Sequence, residues 1–145
     1  MGQEGTQNTA ANVRPGPKLP VMFSRYKGPV ERELHRAVPE LTESEAYLLL
    51  RYHLGWVDRH GVSVGSSASQ GKALRPTLCL FACEALSQDV TRAVPAAAAM
   101  ELIHNFSLIH DDIQDEDLIR RHRPTVWALR GKKLALIAGN AMRTS

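Results

Sequence analysis

The chain has 145 residues, 43% hydrophobic but only 6% aromatic, which suits one domain with enough apolar material for a core. The 18 Lys and Arg against 15 Asp and Glu give a formal charge of +3. These cations are scattered rather than drawn into one stripe, which argues against a nucleic-acid partner and fits small anionic ligands. No stretch nears the ~20 apolar residues of a transmembrane helix, and the start lacks an apolar core of signal-peptide length. The expected location is therefore cytoplasmic. Cys79 and Cys83 stand four apart without a zinc-ligand pattern, and read as small buried side chains.

Residues 1–28, with Pro15, Pro17 and Pro20 close together, read as a disordered lead, and 29–145 as the folded part. Pro29 is placed to start a short helix through Ala37. Thr42 and Glu45 have the spacing of a capping box. The apolar run from Tyr47 to Val57 then extends a helix to about His60, with Gly61 as its stop. Residues 61–71, GVSVGSSASQG, read as a flexible loop. Pro76 suits the first turn of the next helix, which carries Leu78, Leu80, Phe81 and Leu86. Pro95 opens a long helix whose Ala run favours helix strongly. A polar loop IRRHRPT follows. Thr125 caps a short helix, Gly131 breaks it, and Lys132 to Met142 form another. With no strand alternation longer than a few residues, the class is all-α.

The chemistry concentrates at the end of the long helix. At about 100° per residue, with His104 at zero, Asp111 falls about 20° to one side, Asp115 about 20° to the other and Asp112 about 80° away. His104, Asp111 and Asp115 thus share a narrow stripe with Asp112 on its shoulder. Carboxylates one turn apart repel, so the run with Glu116 and Asp117 is locally unfavourable. Mg²⁺ would offset it, since hard cations take carboxylate oxygens together with waters and substrate phosphates. The plain alternative is a solvated acidic helix end. Arg120, Arg121 and Arg123 follow at once. They either compensate the acids or supply guanidinium forks to phosphate oxygens. Lys72 and Arg75, in GKALRP, stand at the mouth of a separate helix, where a helix N-terminus and two cations favour an anion.

The run GKALRP, then ELIHNFSLIHDDIQDEDLIRRHRPTVW, resembles the trans-type polyprenyl (isoprenyl) diphosphate synthases over roughly residues 71–142. Each motif is weak alone; their order and spacing together are specific. The resemblance implies part of an isoprenoid-synthase helix bundle, cut before its C-terminal half. It implies an enzyme condensing isopentenyl diphosphate with an allylic diphosphate, and a homodimer when full length. Asp111, Asp112 and Asp115 match the first aspartate-rich motif, whose Mg²⁺ bridges the allylic diphosphate. Arg120 matches the arginine that contacts that diphosphate, and Lys72, Arg75, His104 and Arg121 match the isopentenyl diphosphate cradle. Phe106 and Ser107 match the positions that set chain length, and point to a product of farnesyl to geranylgeranyl length. Where family members have a second aspartate-rich motif, this sequence has no counterpart, so the chain is expected to be a fragment inactive by itself.

Three departures from the family pattern stand out. His122 occupies a position more often Gly, Trp127 one where His is common, and Asn140 follows Gly139 where Gly-Asp is frequent. Three rival readings remain. A class I terpene cyclase also uses DDxxD, but has no second diphosphate for GKALRP and the arginine loop to hold. A His-Asp phosphohydrolase read from His110 and Asp111 needs ligands on other helices. A non-catalytic partner subunit has no reason to keep a repulsive acidic cluster.

Overall fold

The computed structural model describes residues 21–40, 43–65, 73–87 and 89–145. Most of the expected lead and the second half of the expected 61–71 loop lie outside these residues. Among the described residues the chain forms five helices and one two-residue-per-strand hairpin. The first helix, α1, runs Val21–Ala37 with Pro29 inside it. The expected start at Pro29 is therefore too late, and residues 21–28, assigned to the lead, are helical. The reason is packing. Tyr26, Val30 and Leu34 are buried at four-residue spacing on both sides of the proline, and that apolar stripe outweighs the backbone hydrogen bond Pro29 removes. Tyr26 and Arg25 both donate to the Glu84 carboxylate, which ties α1 to the third helix.

α2 spans Glu45–His53 and is capped by Ser44 without a side-chain hydrogen bond. Thr42 lies outside the described residues, and Glu45 instead accepts from Arg130 Nε at 2.9 Å. The helix ends well before the expected His60. Gly55 takes φ +82°, while the Gly55 and Trp56 amides donate to the Tyr52 and Arg51 carbonyls, each at 2.9 Å. This paired closure is the Schellman arrangement, and glycine meets its left-handed position without strain. Residues 56–64 then fold back on themselves. Asp58 and Val62 bond across the turn at 2.8 Å, Val57 bridges Ser63, and the Asp58 carboxylate accepts the His60 and Val62 amides. Gly61, at φ +84°, belongs to this turn and is not a helix stop.

α3 covers Leu74–Ser87 with Pro76 in its first turn, as expected. A 3-10 turn, Thr91–Ala93, leads into α4, Val94–Gln114. The loop after α4 contains β1, Ile119–Arg120, and β2, Arg123–Pro124, paired antiparallel. Their two-residue turn is Arg121–His122, with φ +51° and +62°, the left-handed pair of a type I′ hairpin. α5, Val126–Thr144, begins under the predicted cap, whose Thr125 Oγ1 accepts from the Ala128 amide, and is broken as predicted at Gly131, φ +80°.

α4 is the central helix and packs against α1, α3 and α5, while α2 packs on α5. Its buried stripe is Ala98, Leu102, Asn105, Ile109 and Asp112, spaced four, three, four, three. Val38, Leu50, Leu80, Val126 and Met142 belong to the same core, all nearly or wholly inaccessible. Leu74, Leu78 and Phe81 of α3 form a second apolar row, and it is exposed.

Candidate site for a metal and diphosphate

The wheel places Asp111 and Asp115 on one stripe, and in the structure both are exposed. Asp111 sits in the last turn of α4. Asp115 is the C-cap, its amide donating to the Asp111 carbonyl at 2.8 Å. Neither carboxylate has a cation within salt-bridge distance among the described residues. Asp112, expected on the shoulder of the same stripe and among the metal ligands, points the other way. It is 0% exposed, and its Oδ1 accepts Nε of Arg120 at 2.6 Å, with Nη2 of the same guanidinium also 2.6 Å away as an ion pair. Its Oδ2 is buried without a partner. Burial raises the Asp112 carboxyl above its usual range, with Arg120 offsetting part of the rise.

The helix ends here without a glycine or proline. Asp115 stays right-handed, Glu116 takes φ +56°, and the Asp117 amide reaches back to the Asp112 carbonyl at 3.0 Å. This is again a Schellman closure, with glutamate where glycine is usual. Lys132 holds the Glu116 carboxylate at 2.7 Å. The Asp117 carbonyl accepts from Thr125 Oγ1 and Trp127 Nε1, both at 2.8 Å. The acidic helix end is thereby fastened to the start of α5, and Trp127 has a definite task.

The cationic half assembles from three elements. Burial first, then the nearby Arg75, keeps His104 below the ordinary imidazole range, with Arg121 and Arg120 adding and Glu101 opposing. Arg75 of α3, His104 of α4 and the hairpin arginines thus share one electrostatic neighbourhood. Lys72 lies outside the described residues. Beside the start of α3 is a cavity of about 270 Å³ whose wall includes Ala73, Thr77, Glu101, Asn105 and Arg121.

Phe106 and Ser107 follow one another on α4 but do different things. The Phe106 ring is half-buried against His110, centroids 4.4 Å apart. Ser107 Oγ donates to the His104 carbonyl at 2.8 Å.

Sequence reasoning did not single out His53. Its Nε2 is buried without a hydrogen-bond partner, and burial, with Arg121 and Arg120 close by, pushes its pKa down to about 3. It lies with Asp112, Arg120 and Arg121 around a small cavity of about 30 Å³. The legible signal was the spacing of α4, because Asn105 and Asp112 fall on the stripe of Leu102 and Ile109. A polar residue in such a stripe announces a buried polar contact.

Mg²⁺ binds through one or two protein carboxylates and completes its shell with water and substrate phosphates. Among the described residues no three His, Cys, Asp or Glu side chains converge as a ligand group. Two exposed acids one turn apart nevertheless suffice for a cation shared with a diphosphate, so this donor set fits.

A family model described as polyprenyl synthetase matches residues 63–145. Over 94 residues the chain is 53% identical to the (2E,6E)-farnesyl diphosphate synthase of Mycobacterium tuberculosis, covering 65% of this chain and 26% of that protein. The geranylgeranyl diphosphate synthase of the same organism is 44% identical over 120 residues, covering 81% of this chain and 32% of that one. The polyprenyl synthetase structure from Streptomyces coelicolor A3(2) superposes with a TM-score of 0.77 at 36% identity, over 86% of this chain and 36% of that chain. The chain thus spans roughly a quarter to a third of the length of these curated relatives.

Proposed function

Since the chain belongs to the polyprenyl synthetase family, in the all-α fold of its solved members, we propose that it forms the first metal–diphosphate half of a prenyltransferase site. The reaction is condensation of isopentenyl diphosphate with an allylic diphosphate, giving a product of farnesyl to geranylgeranyl length. The observation that carries this reading is the division of the α4 end into two faces. Asp111 and Asp115 are exposed and free of ion pairs among the described residues. Arg75 of α3 and Arg121 of the hairpin both act electrostatically on His104 of α4.

In this reading Asp111 and Asp115 hold Mg²⁺, which when bound supplies charge stabilisation to the departing diphosphate. Arg120 contacts the allylic diphosphate. Lys72, Arg75, His104 and Arg121 hold the isopentenyl diphosphate, and a neutral His104 acts there by hydrogen bonding. Fixed donors aimed at the charge that develops on the leaving group lower the barrier most in a water-poor cavity. Phe106, backed by His110, limits how far the growing chain extends. No helix among the described residues is long and apolar enough to cross a membrane, which supports a cytoplasmic enzyme. The exposed row Leu74, Leu78 and Phe81 supports further protein on that face, whether the rest of a synthase or a second copy in a homodimer. The same row also favours a second reading, in which the chain is a partner subunit of a full-length synthase. Co-purification with one would distinguish it.

The test is calorimetry of the purified chain with inorganic pyrophosphate. Binding is expected only with Mg²⁺ present, and Asp111→Asn or Asp115→Asn should abolish that Mg²⁺-dependent binding. Binding that ignores Mg²⁺, or no binding at all, would refute the reading.

A further inference from the structure

Resting on the diphosphate reading above, we infer that Trp127 of α5 is a positioning residue for the acidic end of α4. Its indole N–H, held on the Asp117 carbonyl, keeps the turn that carries Asp115 in one place. Three observations support this role.

First, Asp117 joins two helices through its own backbone. Its amide donates back to the Asp112 carbonyl of α4 at 3.0 Å. Its carbonyl accepts Trp127 Nε1 and Thr125 Oγ1 from the start of α5, both at 2.8 Å. Only Glu116 stands between Asp115 and this doubly held residue. Second, the turn does not hold itself. Glu116 takes φ +56°, a left-handed conformation that a residue with a Cβ keeps only where its surroundings impose it. A turn that relaxed there would carry the Asp115 carboxylate with it. Third, one patch of α5 grips both residues after Asp115. Lys132, next to the Gly131 break, reaches the Glu116 carboxylate at 2.7 Å, and its ammonium lies 5.6 Å over the Trp127 ring. The lysine pair is exposed and contributes little. The indole bond is directional, and so fixes how the Asp117 peptide faces.

Thr125 divides its hydroxyl, which also accepts the Ala128 amide as the α5 cap. Indole has a single N–H and no acceptor, so Trp127 serves Asp117 alone. A loose turn would have to be ordered each time a cation and a diphosphate arrived, at a cost in affinity. The strap from α5 meets that cost once, at folding.

The test uses the full chain with Trp127→Phe, Trp127→His and Trp56→Phe. Imidazole and the five-membered ring of indole place an N–H at nearly the same distance from Cβ. Trp127→His therefore keeps the donor that Trp127→Phe removes, while Trp127→Phe keeps more of the apolar surface packed on the core. Each chain is titrated with Mg²⁺ and inorganic pyrophosphate by calorimetry at about pH 8, where an ordinary imidazole is neutral. Urea unfolding is measured beside it. Trp127→Phe should weaken Mg²⁺-dependent pyrophosphate binding about five-fold, the worth of one hydrogen bond. Trp127→His should bind more tightly than Trp127→Phe although it is the less stable of the two. A role in packing alone would make binding follow stability. The proposal is overturned if it does, or if Trp127→Phe binds like the parent. The chain has two tryptophans, so Trp56→Phe assigns the indole N–H resonances. Should Trp127→Phe not fold, the Trp127 resonance of the parent decides. A shift on adding Mg²⁺ and pyrophosphate supports the proposal, and an unmoved resonance overturns it. If the parent binds no pyrophosphate, the diphosphate reading fails. Amide exchange at residues 115–117 then still tests the strap: it should be faster in Trp127→Phe, and equal rates would refute it.

Discussion

Gly139 of α5 lies directly against the His110 imidazole of α4. A side-chain carbon at position 139 would stand 2.9 Å from His110 Nδ1 and nearer still to Cε1. His110 is held in turn, with Nδ1 3.0 Å from the Phe106 carbonyl and its ring beside the Phe106 ring. The α4–α5 contact closes at this point only because residue 139 has no side chain. Gly139→Ala should therefore cost about 1–3 kcal/mol, the usual range for overpacking, read as a drop in urea midpoint. Adding His110→Ala to Gly139→Ala should recover part of that loss, since residues in contact couple. Full additivity in the double variant would refute the contact.

The hairpin turn stores strain that glycine would release. His122 is exposed, with φ +62°, and left-handed geometry costs a residue with a Cβ about 1–2 kcal/mol. His122→Gly should raise stability by about 1 kcal/mol, after allowance for the added freedom of the unfolded chain. Thermal unfolding checks this, and an unchanged or lower midpoint counts against the strain.

Arg123 joins the hairpin to α2. Its guanidinium lies 4.0 Å over the Tyr52 ring, Nη2 donates to the Val57 carbonyl at 2.8 Å, and Tyr52 Oη donates to the Pro124 carbonyl at 2.8 Å. A lysine keeps the charge but loses the flat face and the fork. Arg123→Lys should cost about 1 kcal/mol, while Arg123→Ala should cost more and loosen amide protection from residue 119 to 123. Equal stability of the parent and the Arg123→Lys chain would show that the stacking contributes nothing.

His53 gives a pH dependence of definite sign. The unfolded chain takes up its proton near pH 6.5, whereas the folded chain resists until about 3. Folding is thus favoured fully above pH 6.5, and this contribution is lost as the pH falls from there towards 3. The slope limit for one group is about 1.4 kcal/mol per pH unit. The residue as a whole is only partly buried, so the observed slope should be smaller. Urea unfolding at pH 7, 6 and 5 should show a steeper loss for the parent than for His53→Gln. Parallel curves would show that His53 is not held neutral.

The residues that proved legible in sequence are those whose signal is local. The α5 cap at Thr125, the break at Gly131, the first turn of α3 at Pro76 and the shared Asp111–Asp115 stripe all follow from neighbours a few positions away. Glycine inside an apolar run misled the reading of α2. Gly55 in HLGWVD sits amid helix-compatible residues, and only the left-handed closure there shows that it, rather than Gly61, stops the helix. Pro29 misled in the opposite sense, because its cost is local while the Tyr26–Val30–Leu34 stripe that overrides it is set by packing on α3 and α4.

Composition, periodicity and motif order by themselves determined the helical class, the place of the acidic helix end and the cations around it. Only the tertiary structure decided which aspartate faces water and which faces inward. Helical phase fixes an angle around α4, but whether that angle means solvent or core depends on what α1, α2 and the hairpin place beside it. Asp112 and Arg120 are eight residues apart, and they meet only because the chain turns back on itself after Glu116. A sequence states charges and spacings; burial, which turns an exposed acid into a buried anchor, exists only once distant segments have packed.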